Sequence, residues 1–101
     1  MKKTSQSANG TSFHSDTFNA SVSELRQILG EPVDDNNTGK DKTNFEWNME
    51  TEAGDVFTVY DYKEYRKLDE HEIIEWHVGG HSGSVTDQAV NEIAGALNDL
   101  D

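Results

Sequence analysis

The stretch EWHVGGHSGSVTD, positions 75 to 87, holds the densest set of groups that could do chemistry. Two imidazoles, His77 and His81, flank a double glycine, and Ser82, Ser84 and Thr86 bring hydroxyls just beyond it. A strand, a Gly-rich turn and a helix start, in that order, present free backbone N–H groups to an anion. Gly79, Gly80, His81, Ser82, Gly83 and Ser84 are therefore the candidate anion-binding residues, with a nucleotide or cyclic nucleotide as the ligand class. Against this, the stretch matches neither G-x-x-x-x-G-K-[ST] nor G-x-G-x-x-G, and no Lys or Arg follows Lys67. An incoming phosphate would meet Glu75 and Asp87 instead. At about 4 Å two unit charges interact by roughly 1 kcal/mol in bulk water, and by several times that at a protein surface. The plainer alternative is a connection whose glycines permit a turn and whose serines cap a helix.

Metal binding needs three or four ligands converging at about 2.0–2.2 Å. His71, His77 and His81 fall within eleven residues, with Glu72, Glu75 and Asp87 as oxygen donors. His-x-x-x-His is diagnostic on a helix, however, and here it spans a strand and a loop. A surface contact between Glu75 and His77 is the commoner outcome. The chain has no cysteine, which excludes thiolate metal sites and disulfides. No metal and no cofactor is expected. Acid–base catalysis would need a pocket that shifts a carboxylate or imidazole and holds a substrate. A Ser82–His81 pair lacks an orienting partner, so no catalytic residue is assigned and the chain reads as a non-enzyme.

The elements that position these groups are legible from periodicity. Ser21-Val22-Ser23-Glu24 is a capping box, after which Val22, Leu25, Ile28 and Leu29 share a helical face. Gly30 and Pro32 end that helix. A polar loop spans 31 to 44. Phe45, Trp47 and Met49 then alternate with Glu46, Asn48 and Glu50, the pattern of a half-buried strand. A Glu52-Ala53-Gly54 loop asks only Gly54 to be left-handed, and it pairs Met49 with Phe57 and Trp47 with Val59. A third strand is predicted near 72–78 and a helix over 85–100, with Val85, Ala89, Ile93, Leu97 and Leu100 at helical spacing and Ser84 or Thr86 as its cap. The implied fold is α+β: two layers, a three- or four-stranded antiparallel sheet with two helices on one face, in the order (β)αβββα. Residues 1 to 16 read as a flexible tail in which Phe13 and Phe18 anchor a short edge strand, and 17 to 101 as the single domain.

Charge is the most distinctive quantity. Twenty Asp and Glu against eight Lys and Arg give a net −12 in 101 residues. That field opposes direct nucleic-acid binding and anionic membranes, and it attracts basic protein surfaces. It exceeds the magnitude of about 2 to 8 that solubility asks of a small domain. No apolar run approaches a membrane span, and Met1-Lys2-Lys3 is followed by polar residues, not by a signal-peptide core. On the predicted outer sheet face Tyr60 and Tyr62 are ringed by Glu46, Glu50, Glu75 and Asp61. Tyrosines so placed serve either as interface anchors or as cross-strand packing, and both readings stand.

The segments GKDKTNFEW, GDVFTVYDYKEYR and IEWHVGGH, within residues 39–81, resemble in cadence the small uncharacterised acidic proteins of tailed bacteriophages. The resemblance implies no activity and no catalytic residues. It implies a context: the cytoplasm of an infected bacterium, and a basic surface on a host defence or nucleic-acid-binding protein, blocked by presenting carboxylates where DNA phosphates would lie. Glu46, Glu50, Tyr60, Tyr62, Asp69, Glu70, Glu72 and Glu75 are the candidate partner-binding residues, with Glu31, Asp34, Asp35 and Asp41 as a second acidic run. The acids are not evenly spaced along one element, and Lys63, Arg66 and Lys67 interrupt the field. The partner's identity and the oligomeric state are not legible.

Overall fold

The computed structural model describes residues 1–100. Helix α1 (Val22–Leu29) begins at the capping box: Glu24 N donates to Ser21 Oγ at 3.1 Å, and Ser21 N donates to Glu24 Oε1 at 2.9 Å. Gly30 ends it at φ 83°, a left-handed conformation that glycine adopts without strain. Strands β1 (Lys2–Lys3), β2 (Ser12–Ala20), β3 (Asp34–Asp35), β4 (Phe45–Glu50), β5 (Val56–Tyr60) and β6 (Ile74–Gly80) form one antiparallel sheet, and helix α2 (Gly83–Asn98) follows. The sheet order is β1-β4-β5-β6-β2, with β3 also pairing on β4. No helix is long and apolar enough to cross a membrane among the described residues.

The hairpin register is the expected one. Met49 faces Phe57 and Trp47 faces Val59, and Gly54 sits at φ 89° in the connecting loop. This register gathers the apolar side chains of both strands on one face, where Trp76 and Val78 of β6 continue them. Val22, Leu25 and Leu29 of α1 and Ala89 and Ile93 of α2 close over that face as one core. At its centre Trp47 and Trp76 meet edge to face, with ring centroids 5.5 Å apart. Each indole N–H is satisfied: Trp47 donates to Gly30 O at 2.8 Å and Trp76 to Ala20 O at 2.9 Å. Both bonds also tie the sheet to the ends of α1.

Three expectations need correction. The sheet has six strands, not three or four, because edge pairing by backbone requires no apolar signal. The two-residue strands β1 and β3 add to β4 with exposed side chains. For the same reason residues 1–16 do not form a separate tail: Lys2–Lys3 pair with β4, and Ser12–Asp16 belong to the nine-residue β2. The intervening segment stays tied to the hairpin, where Thr4 N donates to Asn48 O and Gln6 Nε2 to Gly54 O. Finally, α2 starts two residues early and Leu100 is exposed, because the double glycine lies inside β6 and Ser82, not Ser84 or Thr86, is the cap.

The open end of the hairpin is closed by a carboxylate. Asp61 is fully buried and accepts from Asn44 N at 2.8 Å, Phe45 N at 2.9 Å and Asn44 Nδ2 at 2.9 Å. Asn44 in turn accepts from Gly39 N and donates to Arg66 O, and Asn37 exchanges two hydrogen bonds with the Leu68 backbone. The loops 36–44 and 61–70 are thus knitted together around one side chain. Asp61→Ala would leave two backbone N–H groups and an amide without acceptors, at about 1–3 kcal/mol each. Urea unfolding should show a loss of about 3–5 kcal/mol.

Candidate functional site

The outer face of the sheet carries a continuous cross-strand row. Asp34 faces Glu46, Glu46 faces Tyr60, Tyr60 faces His77, and His77 faces Thr17. Around the middle of this row, Phe13, Tyr60, Tyr62 and His77 line an open cleft of about 320 Å³. Phe13 stacks on His77 with centroids 4.4 Å apart and planes 23° from parallel. Tyr62 and Tyr60 approach the same imidazole at 5.3 and 5.7 Å, and the two tyrosines meet edge to face at 6.5 Å. Phe13 is 43% exposed and Tyr62 41%, so two large rings face solvent.

Three backbone features build the cleft. Between Phe13 and Thr17, β2 spends four residues where β6 spends two, since Phe13 faces Gly79 and Thr17 faces His77. Ser15 takes φ 72° within this bulge. Regular pairing would carry Phe13 two residues further along, opposite His81 and away from the tyrosines. Gly79, opposite Phe13, permits close approach beside it: a Cβ there would lie 2.6 Å from Thr58 Oγ1 and 3.6 Å from Tyr60 Cε1. Beyond β5, Lys63 adopts φ 61° and places its ammonium 5.3 Å from the centre of the Tyr62 ring.

The electrostatics of the row are unrelieved. Burial, and then repulsion from Asp34, raise the Glu46 carboxyl above its ordinary value. Burial, and then Glu46 and Tyr62, raise the Tyr60 phenol. Among the described residues Asp34, Glu46 and Glu75 have no ion-pair partner, and Glu75 only accepts from Thr17 Oγ1 at 3.4 Å.

The other expected partner-binding acids are engaged within the molecule. Arg26 collects Glu31, Asp35 and Glu70, and Arg66 binds Glu72 with two hydrogen bonds and also reaches Glu64. Asp41 accepts from Asn36, and the Asp69 side chain accepts from His71 N. Glu50 accepts from Thr4, which together with Gln6 and Lys2 lowers its pKa. Asp61, expected on the acidic rim, is the buried hairpin anchor. Of the expected set, the fold brings together Glu46, Tyr60, Tyr62 and Glu75 and disperses the rest. Phe13 and His77, which sequence reasoning did not assign to this site, complete it.

The Gly79–Ser84 stretch is not a loop that cradles an anion. Gly79 and Gly80 are the last residues of β6, and Gly83 and Ser84 are the first of α2, so only His81 and Ser82 connect them. The Ser82 side chain already accepts from Val85 N, and Asp16 accepts from Thr86 Oγ1 at 2.6 Å at the same helix start. A hydrogen bond and repulsion from Asp16 raise Asp87 beside it. Negative charge therefore occupies the place an anion would take. Both glycines serve close approach: a Cβ on Gly80 would lie 2.9 Å from Thr86 Cγ2 and 3.3 Å from Val85 Cγ1. His81 packs against Gly10 instead of facing His77. Among the described residues no three His, Asp or Glu side chains converge as metal ligands.

Two outcomes test this geometry. Gly80→Ala should destabilise by about 1–3 kcal/mol, because Thr86 is buried and held by Asp16 and cannot yield. Glu46→Gln should raise the melting temperature at neutral pH. A carboxyl raised in the folded state supports folding below its unfolded value, about 4.3, and loses that support as pH rises through the folded value. The gain should therefore vanish at pH 3, which thermal melts at both pH values would read. Comparison of the chain with family models, curated proteins and solved structures returns no match, so the function is argued from this face itself.

Proposed function

We propose that this protein is a non-enzymatic binding module whose outer sheet face engages a basic surface on another protein. The observation that carries this reading is the open cleft of Phe13, Tyr60, Tyr62 and His77 bordered by the unpaired carboxylates of Asp34, Glu46 and Glu75. Exposed aromatic rings supply contact area at low entropic cost and act as interface anchors. The surrounding net charge of −12 steers cationic partners and repels nucleic acid. The His77 ring makes no hydrogen bond among the described residues, so it lacks the orienting partner of an acid–base catalyst.

The cadence shared with acidic phage proteins suggests a partner class: a bacterial protein whose cationic groove normally accepts nucleic-acid phosphates. In that setting carboxylates act as phosphate surrogates, and the outer row contributes three that have no ion-pair partner among the described residues. Internal pairing around Arg26 and Arg66 takes Glu31, Asp35, Glu64, Glu70 and Glu72 out of the decoy surface.

Binding to a lysine- and arginine-rich peptide, followed by calorimetry, tests the reading. Affinity should fall about tenfold or more between roughly 50 and 300 mM salt. Tyr62→Ala and the Glu46→Gln/Glu75→Gln double variant should each lower it at low salt. Affinity that ignores both salt and these substitutions would remove the outer face from consideration.

A further inference from the structure

We infer that the cleft takes the guanidinium of an exposed arginine on the partner, laid against the rings with its N–H groups turned toward Glu46 and Asp34. This rests on the reading of the outer face as a protein-binding surface, and it names the side chain that surface selects. The inference starts from the coincidence of two features in one cross-strand row. One end is aromatic, with Tyr60 and His77 facing each other and Phe13 and Tyr62 flanking them. The other end is a carboxylate pair, Asp34 facing Glu46, with no cation to balance it.

An apolar ligand would use the rings and leave the carboxylates desolvated and opposed. An anion is opposed by the whole field. A cation uses both ends at once: the ring faces attract it, and its charge relieves the repulsion between Glu46 and Asp34. Guanidinium fits better than ammonium for three reasons. It is planar and stacks on aromatic faces, it is more weakly hydrated, and its fork of donors matches a carboxylate edge. The size agrees: about 320 Å³ is at the small end of ligand clefts, which span roughly 300–1,000 Å³. Tyr62 already holds one cation, the Lys63 ammonium at 5.3 Å. In this inference Lys63 is a weak internal competitor that the partner's arginine displaces from the ring.

The test is aromatic NMR of the 101-residue chain at low salt, titrated with acetyl-Gly-Arg-Gly-amide and with its lysine and citrulline counterparts. Citrulline keeps the planar shape of arginine and removes its charge. The ring signals of Phe13, Tyr60, Tyr62 and His77 should move with the arginine peptide. The lysine peptide should need about fivefold more, and the citrulline peptide should leave them in place. Tyr62→Ala, at an exposed position, should weaken the arginine response about three- to fivefold, and Lys63→Gln should strengthen it. Equal shifts from citrulline would overturn the inference, as would weaker binding in Lys63→Gln. Equal shifts from lysine and arginine would discard the guanidinium while leaving the basic-surface reading in place. Silence of the rings toward every cationic peptide would discard both.

Discussion

The buried carboxylate of Asp61 is the constraint on which the rest of the structure depends. It stands where a regular hairpin would continue its backbone ladder, and its Oδ1 replaces the ladder acceptors while Oδ2 accepts from the Asn44 side-chain amide. Through Asn44 it reaches Gly39 and Arg66, and so it sets the course of both long loops. One loop delivers β3 to the edge of β4 and with it Asp34. The other carries Tyr62 and Lys63 to the rim of the cleft. A buried carboxylate is costly unless its acceptor capacity is used, and here three donors converge on it. The outer face is held in shape from beneath by a polar anchor, not by apolar packing.

The two faces of the sheet obey different rules. The inner face is closed: two tryptophans with satisfied indoles, flanked by Phe45, Phe57, Val59 and Val78, under the helices α1 and α2. Burial of this kind supplies stability and asks nothing of a partner. The outer face is divided. Its hairpin end is bonded to the N-terminal segment through Gln6, and Val56 and Thr58 are buried there. Its other end leaves rings half in solvent and keeps opposed carboxylates side by side. Charge repulsion retained beside exposed rings is a pattern expected of a binding surface.

Net charge alone says less about function than its pairing does. A value of −12 suggests a molecule that displays acids everywhere. The fold instead gathers several of them around two arginines and the N-terminus, and hydrogen bonds from Gln88 and Glu52 N, then the N-terminus, hold Glu92 low despite its partial burial. These acids stabilise loops and contribute only a diffuse field to recognition. Asp34, Glu46 and Glu75 have no such partner among the described residues, and Glu46 faces Tyr60 of the aromatic cleft.

Sequence alone determined the local elements, because each rests on interactions within a few residues. The capping box of α1, the Met49–Phe57 register set by the Glu52–Gly54 loop, and the helical stripe of Val85, Ala89 and Ile93 were all legible on that basis. Tyr60, Tyr62, Glu46 and Glu75 followed from strand alternation. Only the tertiary structure decided what depends on backbone pairing between distant segments. Two-residue edge strands carry no hydrophobic signature, so β1 and β3 were hidden, whereas the edge strand suggested by Phe13 and Phe18 is present as β2. The bulge at Ser15 is invisible in side-chain pattern, yet it places Phe13 on His77. The double glycine looked like a turn because glycine serves turns and close packing alike, and only the neighbouring Thr58, Val85 and Thr86 reveal which role it plays. Asp61 read as one more surface acid, since burial of a charged residue is a property of its partners and not of its own sequence position.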